Sequence, residues 1–138
     1  MKTSLRLFDY FVGLDVHYNQ SSLCILDAQG NEVKRVSIRG RWSEVIKELM
    51  KIDGRFAICY EASLGYGVLY DSLAKFAARV VVAHPGQLRL IFRSKRKNDR
   101  IDAQRLAKLL LLDEVPPVYV PSVDVRAWRQ LIEYRERL

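Results

Sequence analysis

Cysteine and histidine are scarce in this sequence, with two of each in 138 residues. Cys24 and Cys59 both fall in strand-like segments, and no spacing around them suits a disulfide or a metal pair. They read as buried, reduced thiols of a cytosolic protein. His17 and His84 are isolated, and two isolated histidines define no zinc centre. Long apolar runs are missing too. Those present are short and broken by charge, so none can span a bilayer and no membrane partner is expected. The first ten residues hold two basic side chains but neither an apolar core run nor a small-residue cleavage site, which argues against a secretory signal. No internal repeat or low-complexity tract is visible.

What is present is the composition of one globular domain of ordinary size, 49% hydrophobic and 28% charged, long enough to bury a real core. The formal net charge is +7, and its placement matters more than its size. Between Arg89 and Lys108 there are eight Lys or Arg against two Asp, while the remainder is nearly balanced. A charge run is commonly a solvated face. Concentration of almost all the excess in one segment points instead to a surface that holds phosphates, of DNA or RNA alike.

The hydrophobic period divides the chain. Phe11–Asp15 reads as a short strand buried on both faces, Ser21–Asp27 as a second, and Glu32–Ile38 as a third after the Ala28-Gln29-Gly30-Asn31 turn. Trp42, Val45, Ile46, Leu49 and Met50 then fall at helical spacing, with Ser43 as a candidate cap and Asp53-Gly54 as the stop. Phe56–Glu61 is a strand with Ala57, Cys59 and Glu61 on one face and Phe56, Ile58 and Tyr60 on the other. A helix carrying Leu69, Leu73, Phe76 and Ala77 leads to a fifth strand, Arg79–Ala83, stopped by His84-Pro85-Gly86. A helix through Leu88–Phe92 precedes the basic run. A longer one from about Asp99 to Leu112 follows, with Ala103, Leu106, Ala107 and Leu110 on its apolar stripe. Pro116-Pro117 and Pro121 mark an extended connection to a charged amphipathic helix from Val123 to Leu138. That helix stops without a capping signal, as a cut inside a longer helix would. The expected division is 1–115 for the domain and 116–138 for a linker and helical extension. Three antiparallel strands followed by strand–helix–strand crossovers make an α/β fold with a mixed five-stranded sheet flanked by helices, the RNase H-like (RuvC-like) architecture.

Four carboxylates stand out. Asp15 closes the first strand on the face of Phe11 and Gly13, where a glycine lets another group approach closely. Glu61 closes the fourth strand. If those strands are neighbours, both acids emerge at one end of the sheet, where ligand sites of such folds gather. Asp99 and Asp102 lie three apart in the basic segment, and on a helix they would share a face. Each acid also has a plain structural reading: Asp15 as a turn cap, Glu61 as a solvated strand end, Asp99 and Asp102 as helix N-cap residues. The alternative is a metal site. Two Mg²⁺ ions about 4 Å apart can clamp a phosphate between them. Such ions take oxygen ligands and keep some of their water. Lys95, Arg96, Lys97 and Arg100 would hold the flanking phosphates, with affinity falling as salt rises. Tyr60, Tyr66, Tyr70 and Phe92 could stack on bases, although core packing accounts for most of them.

Gly13-Leu14-Asp15-Val16, Tyr60-Glu61-Ala62-Ser63 with Gly65-Tyr66, and Lys97-Asn98-Asp99-Arg100-Ile101-Asp102-Ala103 together resemble the DEDD insertion-sequence transposases. These are the IS-one-ten family, relatives of Piv-type site-specific DNA invertases. The resemblance runs over residues 11–138 and rests on four acids in order at these separations. Trp128-Arg129-Gln130-Leu131 and Arg135 resemble the helix that follows this domain. The resemblance implies a RuvC-like domain with catalytic, metal-binding acids at Asp15, Glu61, Asp99 and Asp102. It implies Mg²⁺ or Mn²⁺, and a DNA substrate comprising insertion-sequence ends and target. It also implies a guide (bridge) RNA, a homodimer or homotetramer of the full-length protein, and a prokaryotic cytoplasmic, nucleoid-associated location. Family members carry a second domain with a serine nucleophile, which this chain does not reach, so complete strand exchange is not expected of these residues alone.

Three other readings compete. A stand-alone Holliday-junction resolvase or nuclease on the same fold would cut branched DNA unaided. An actin-like ATPase half would use Gly13-Leu14-Asp15 as a phosphate loop, but its Gly/Thr-rich companion loops are missing. A nucleic-acid-binding or dimerisation module would perform no chemistry at all.

Overall fold

The computed structural model describes residues 8–63, 66–93 and 101–120. Strand β1 (Tyr10–Val16) is the axis of the sheet. It pairs antiparallel with β2 (Gln20–Asp27) on one side and parallel with β4 (Phe56–Glu61) on the other. Beyond them lie β3 (Glu32–Arg39) and β5 (Arg79–Ala83), giving the order β3-β2-β1-β4-β5. The meander of β1 to β3 followed by parallel crossovers to β4 and β5 is the expected mixed α/β sheet of RNase H-like type.

Helices cover both faces. On one, Val12, Leu14, Leu23, Ile58 and Tyr60 pack against Val45 and Leu49 of α1 (Trp42–Leu49) and Leu69 and Leu73 of α2 (Tyr66–Leu73). On the other, Phe11, Cys24, Leu26, Ala57 and Cys59 pack against Leu88 of α3 (Pro85–Ile91) and Leu106, Ala107 and Leu110 of α4 (Ala103–Leu111). The alternation expected for β4 is therefore observed, and it follows from the two-residue period of a strand between two apolar layers.

Gly13 sets how close α4 comes. A Cβ at Gly13 would lie 1.9 Å from the Ala103 carbonyl oxygen and 2.6 Å from the Ala107 nitrogen. The helix backbone itself rests on the strand, a contact that any side chain at Gly13 would block.

Several local expectations change. Ser43 does not cap α1: the N-cap is Arg41, in extended conformation and without a side-chain cap bond. Met50 forms the exposed C-cap rather than extending the apolar stripe. Phe76 lies past the end of α2 and is exposed, because the helix stops at Leu73. Most consequential, α4 starts at Ala103 and not near Asp99. Asp102 is its N-cap, with extended backbone (φ −71°, ψ 166°) and a carboxylate that accepts from the Arg105 N–H at 2.8 Å. A residue outside the helix cannot share a helical face with one three positions earlier, so the i, i+3 argument for Asp99 and Asp102 fails. The cap is the stronger local interaction here. Pro116–Val118 runs along β5, with His84 N–H donating to the Pro116 carbonyl and Val118 N–H to the Val82 carbonyl.

Candidate metal and nucleic-acid site

The site is built from one cross-strand row. In the register of β1 and β4, Gly13 lies beside Cys59 and Leu14 beside Tyr60. The next step places Asp15 beside Glu61, one inter-strand spacing of about 4.8 Å away. Glu61 pairs in turn with Ala83 of β5, and Asp15 pairs with Ser22 of β2. Both acids belong to the face that carries α4, because Phe11 and Gly13 precede Asp15 at two-residue steps and Ala57 and Cys59 precede Glu61. Glu61 ends β4 and Asp15 is the last residue but one of β1, both at the carboxyl end of the parallel part of the sheet.

Glu61 is half-buried, and its Oε2 atom is fully enclosed with no hydrogen-bond partner among the described residues. A carboxylate oxygen shut away from both water and donors is costly, on the order of 1–3 kcal/mol. Such an atom is a usual mark of a site that a ligand completes. Asp15, also half-buried, has its Oδ2 3.1 Å from Nε2 of the exposed His17. His17 lies just past the end of β1, and its ring reaches back to Asp15 there.

Asp102 stands on the same side of the sheet, at the head of α4 above Gly13. Its charge is felt on β2 and β3. The Cys24 thiol is pushed up to about 11, first by burial and then by its hydrogen bond to Glu32, with Asp102 adding in the same direction. Arg35 is raised chiefly by its bond to Glu32 and slightly by Asp102. Burial alone pushes the Cys59 thiol up to about 12. Both thiols are free and buried, as their strand positions imply.

Among the described residues, no group of three His, Cys, Asp or Glu side chains is gathered tightly enough to hold an ion by itself. A protein cage is nevertheless not what Mg²⁺ needs. It is commonly bound through one or two carboxylates, with substrate phosphate oxygens and water completing the shell. An all-oxygen donor set with one orphaned oxygen suits Mg²⁺ or Mn²⁺ and does not suit a soft metal.

Asp99, Lys95, Arg96, Lys97 and Arg100 lie outside the described residues. The segment that contains them is bracketed by Phe92 and Arg105, whose guanidinium sits 5.1 Å from the Phe92 ring centroid. His84 is occupied elsewhere: its Nδ1 accepts from the Gln87 N–H and caps α3. Tyr60 is buried on the opposite face, and its hydroxyl donates to the Tyr66 carbonyl. Tyr66 and Tyr70 pack on that same core. Core packing, not base stacking, is what these three tyrosines do. Among the described residues no helix is long and apolar enough to cross a membrane.

The model of the IS110 (IS-one-ten) DEDD family, described as "Transposase", matches residues 12–138. A protein of Sinorhizobium fredii (strain NBRC 101917 / NGR234) named "Putative transposase y4qE" is 28% identical over 131 residues. The match covers 91% of this chain and 33% of that relative, so the chain spans about a third of the relative's length.

Proposed function

The chain belongs to the IS110 family of DEDD transposases, and from that premise we propose that it is the metal-dependent catalytic part of a DNA transposase. In this reading Asp15 and Glu61 hold a divalent cation, Mg²⁺ or Mn²⁺, with Asp102 and Asp99 joining when a phosphodiester is in place. The ion, when bound, would polarise the phosphate and favour deprotonation of the attacking water or hydroxyl. The protein residues do the rest. Glu61 presents an oxygen already stripped of water, so little is lost when a cation replaces it. His17 holds Oδ2 of Asp15 and so orients the remaining carboxylate oxygen. Gly13 lets α4 sit low enough to bring Asp102 over the sheet. Lys95, Arg96, Lys97 and Arg100 bind flanking phosphates.

The DNA would comprise insertion-sequence ends and target, selected through a guide RNA, with a homodimer or homotetramer of the full-length protein as the acting form in the prokaryotic nucleoid. Residues 116–138 would lead from the catalytic domain to the rest of such a protein. The observation that carries the reading is that Asp15 and Glu61 each follow directly on the last β1–β4 pair, Leu14 beside Tyr60, with Glu61 Oε2 buried and without a hydrogen-bond partner among the described residues.

The test is a Mn²⁺ and Mg²⁺ titration of thermal stability on the wild type, Glu61→Gln and Asp102→Asn. Binding to the folded state alone stabilises by about 2.7 kcal/mol at one hundred times Kd. A wild-type midpoint indifferent to both ions would sink the proposal. A response retained in full by Glu61→Gln would remove Glu61 from the site.

A further inference from the structure

The row that holds the two acids does not end at Asp15. It continues through Ser22 of β2 to Ser37 of β3. With the β1–β4 register extended one step past Leu14 and Tyr60, Ala83, Glu61, Asp15, Ser22 and Ser37 fall in one row, one on each strand. The next row outward pairs Gln20 with Arg39. All of these side chains share the face that carries α4, because Cys24 and Leu26 on β2 belong to that core while Leu23, Ile25 and Ile38 belong to the other. Yet α4 begins at Ala103, above Gly13, one row short of them.

Composition changes at the same line. Inward of it β2 reads Leu23-Cys24-Ile25-Leu26, all buried. Outward it reads Gln20-Ser21-Ser22, and the residues facing α4's side become hydroxyls, an amide and a guanidinium. Gln20 Nε2 donates to Ser37 Oγ at 2.6 Å, which ties the two strands across this ledge. Gln20, Ser37 and Arg39 are exposed. At the adjoining turn, Tyr18 is 77% exposed with the Arg41 guanidinium 5.9 Å from its ring centroid. The turn is held to the end of β3 by the Gly40 N–H donating to the Asn19 carbonyl at 2.8 Å.

We infer that this ledge is a binding track for a single nucleic-acid strand, leading from the paired acids to the β3 edge. Ser22, Ser37 and Gln20 offer hydrogen bonds to its sugar–phosphate backbone, Arg39 binds a phosphate, and the Tyr18–Arg41 pair borders the track. A polar, exposed stretch of sheet that no helix among the described residues covers, next to acids suited to phosphodiester chemistry, fits a polar, anionic, ribbon-like ligand. Two inter-strand spacings, about 10 Å, separate Asp15 from Ser37, so the track extends beyond the phosphate at the acids. The assignment builds on the phosphodiester reading above, but its test needs no metal.

Fluorescence anisotropy of labelled single-stranded DNA and single-stranded RNA of one sequence, with the 138-residue chain in EDTA across a salt series, reads the track directly. Arg39→Glu should weaken binding about tenfold and lower the salt slope by about one. Lys51→Glu, the same charge change on the exposed α1 side of the molecule, should leave the slope in place. Arg39→Gln gives a milder variant in case the reversal disturbs β3, with unchanged thermal midpoint as the control. A Ser22→Ala/Ser37→Ala double variant should weaken binding without changing the slope, since no charge is lost. Equal losses for Arg39→Glu and Lys51→Glu, or none for Arg39→Glu and Arg39→Gln in well-folded protein, would overturn the inference. Preference for one nucleic acid over the other identifies the strand as DNA or guide. Wild-type protein that binds both strands in EDTA but shows no thermal response to Mn²⁺ would fail the metal site and keep the track, and the converse would fail the track alone, so the two failures are separable.

Discussion

The Ala103 carbonyl of α4 occupies the space that a side chain on Gly13 of β1 would need, at 1.9 Å from an added Cβ. The atom in the way is helix backbone, with the Ala107 nitrogen close behind at 2.6 Å, so no rotamer change can relieve it. The position of Asp102, the residue just before Ala103, is therefore set by the absence of a side chain two residues before Asp15.

Gly13→Ala should accordingly destabilise the fold by about 3 kcal/mol, at the upper end of ordinary overpacking. The usual gain from removing glycine's freedom in the unfolded chain, at most about 1 kcal/mol, has the opposite sign and is outweighed. Urea unfolding gives the answer in the midpoint, and an unchanged midpoint would show that α4 can rise off the sheet cheaply. Any metal-dependent stabilisation should shrink as well, because Asp102 moves with the helix.

Asp102 can be resolved into cap and ligand by two substitutions. Asn accepts the Arg105 N–H as Asp does, so Asp102→Asn should leave metal-free stability almost unchanged, whereas Asp102→Ala should lose about 1 kcal/mol. Both should blunt the Mn²⁺ response if Asp102 reaches the ion. A response lost with Ala and kept with Asn would assign the residue to capping alone.

Glu61→Gln should raise the stability of the metal-free protein by on the order of 1 kcal/mol, since it removes a charge whose Oε2 is enclosed without a donor. The same variant should lose its stabilisation by Mn²⁺. Thermal melts in EDTA and in Mn²⁺ read both effects; a less stable metal-free variant would mean that the carboxylate is satisfied in solution.

Alkaline pH should weaken the fold through Cys59. Its thiol rises from an ordinary 9.0 to about 12 in the folded protein, so the unfolded chain ionises first. The stabilisation from keeping this thiol neutral is complete below pH 9 and is lost progressively as pH rises from there towards 12. The slope from this one group is about 1.4 kcal/mol per pH unit. Cys59→Ala should remove that part of the slope, and chemical denaturation between pH 8 and 10.5 compares the two. Cys24, raised to about 11, adds a similar trend over a narrower range.

Element identity was legible because its causes are local. The β4 and β5 boundaries follow from two-residue alternation and apolar runs that end at Glu61 and at His84-Pro85. Ends decided by competing caps were not legible. Ser43 has capping chemistry, yet Arg41 takes the N-cap of α1, and of Asp99 and Asp102, both candidate caps of α4, only the structure selects Asp102. Packing of the helix against the sheet selects the first turn, and a side-chain cap contributes only about 1 kcal/mol.

The sequence by itself determined the fold class, the face on which Asp15 and Glu61 lie, and the family, since period, strand order and the spacing of acids are properties of the chain. Tertiary structure alone decided three things. It set the depth of α4 over Gly13, enclosed Glu61 Oε2 without a partner, and aligned Ser22 and Ser37 with Asp15 in one row. Each depends on register and contact between segments far apart in the chain. Cross-strand pairing is fixed by burial of the whole sheet, and no single segment encodes it.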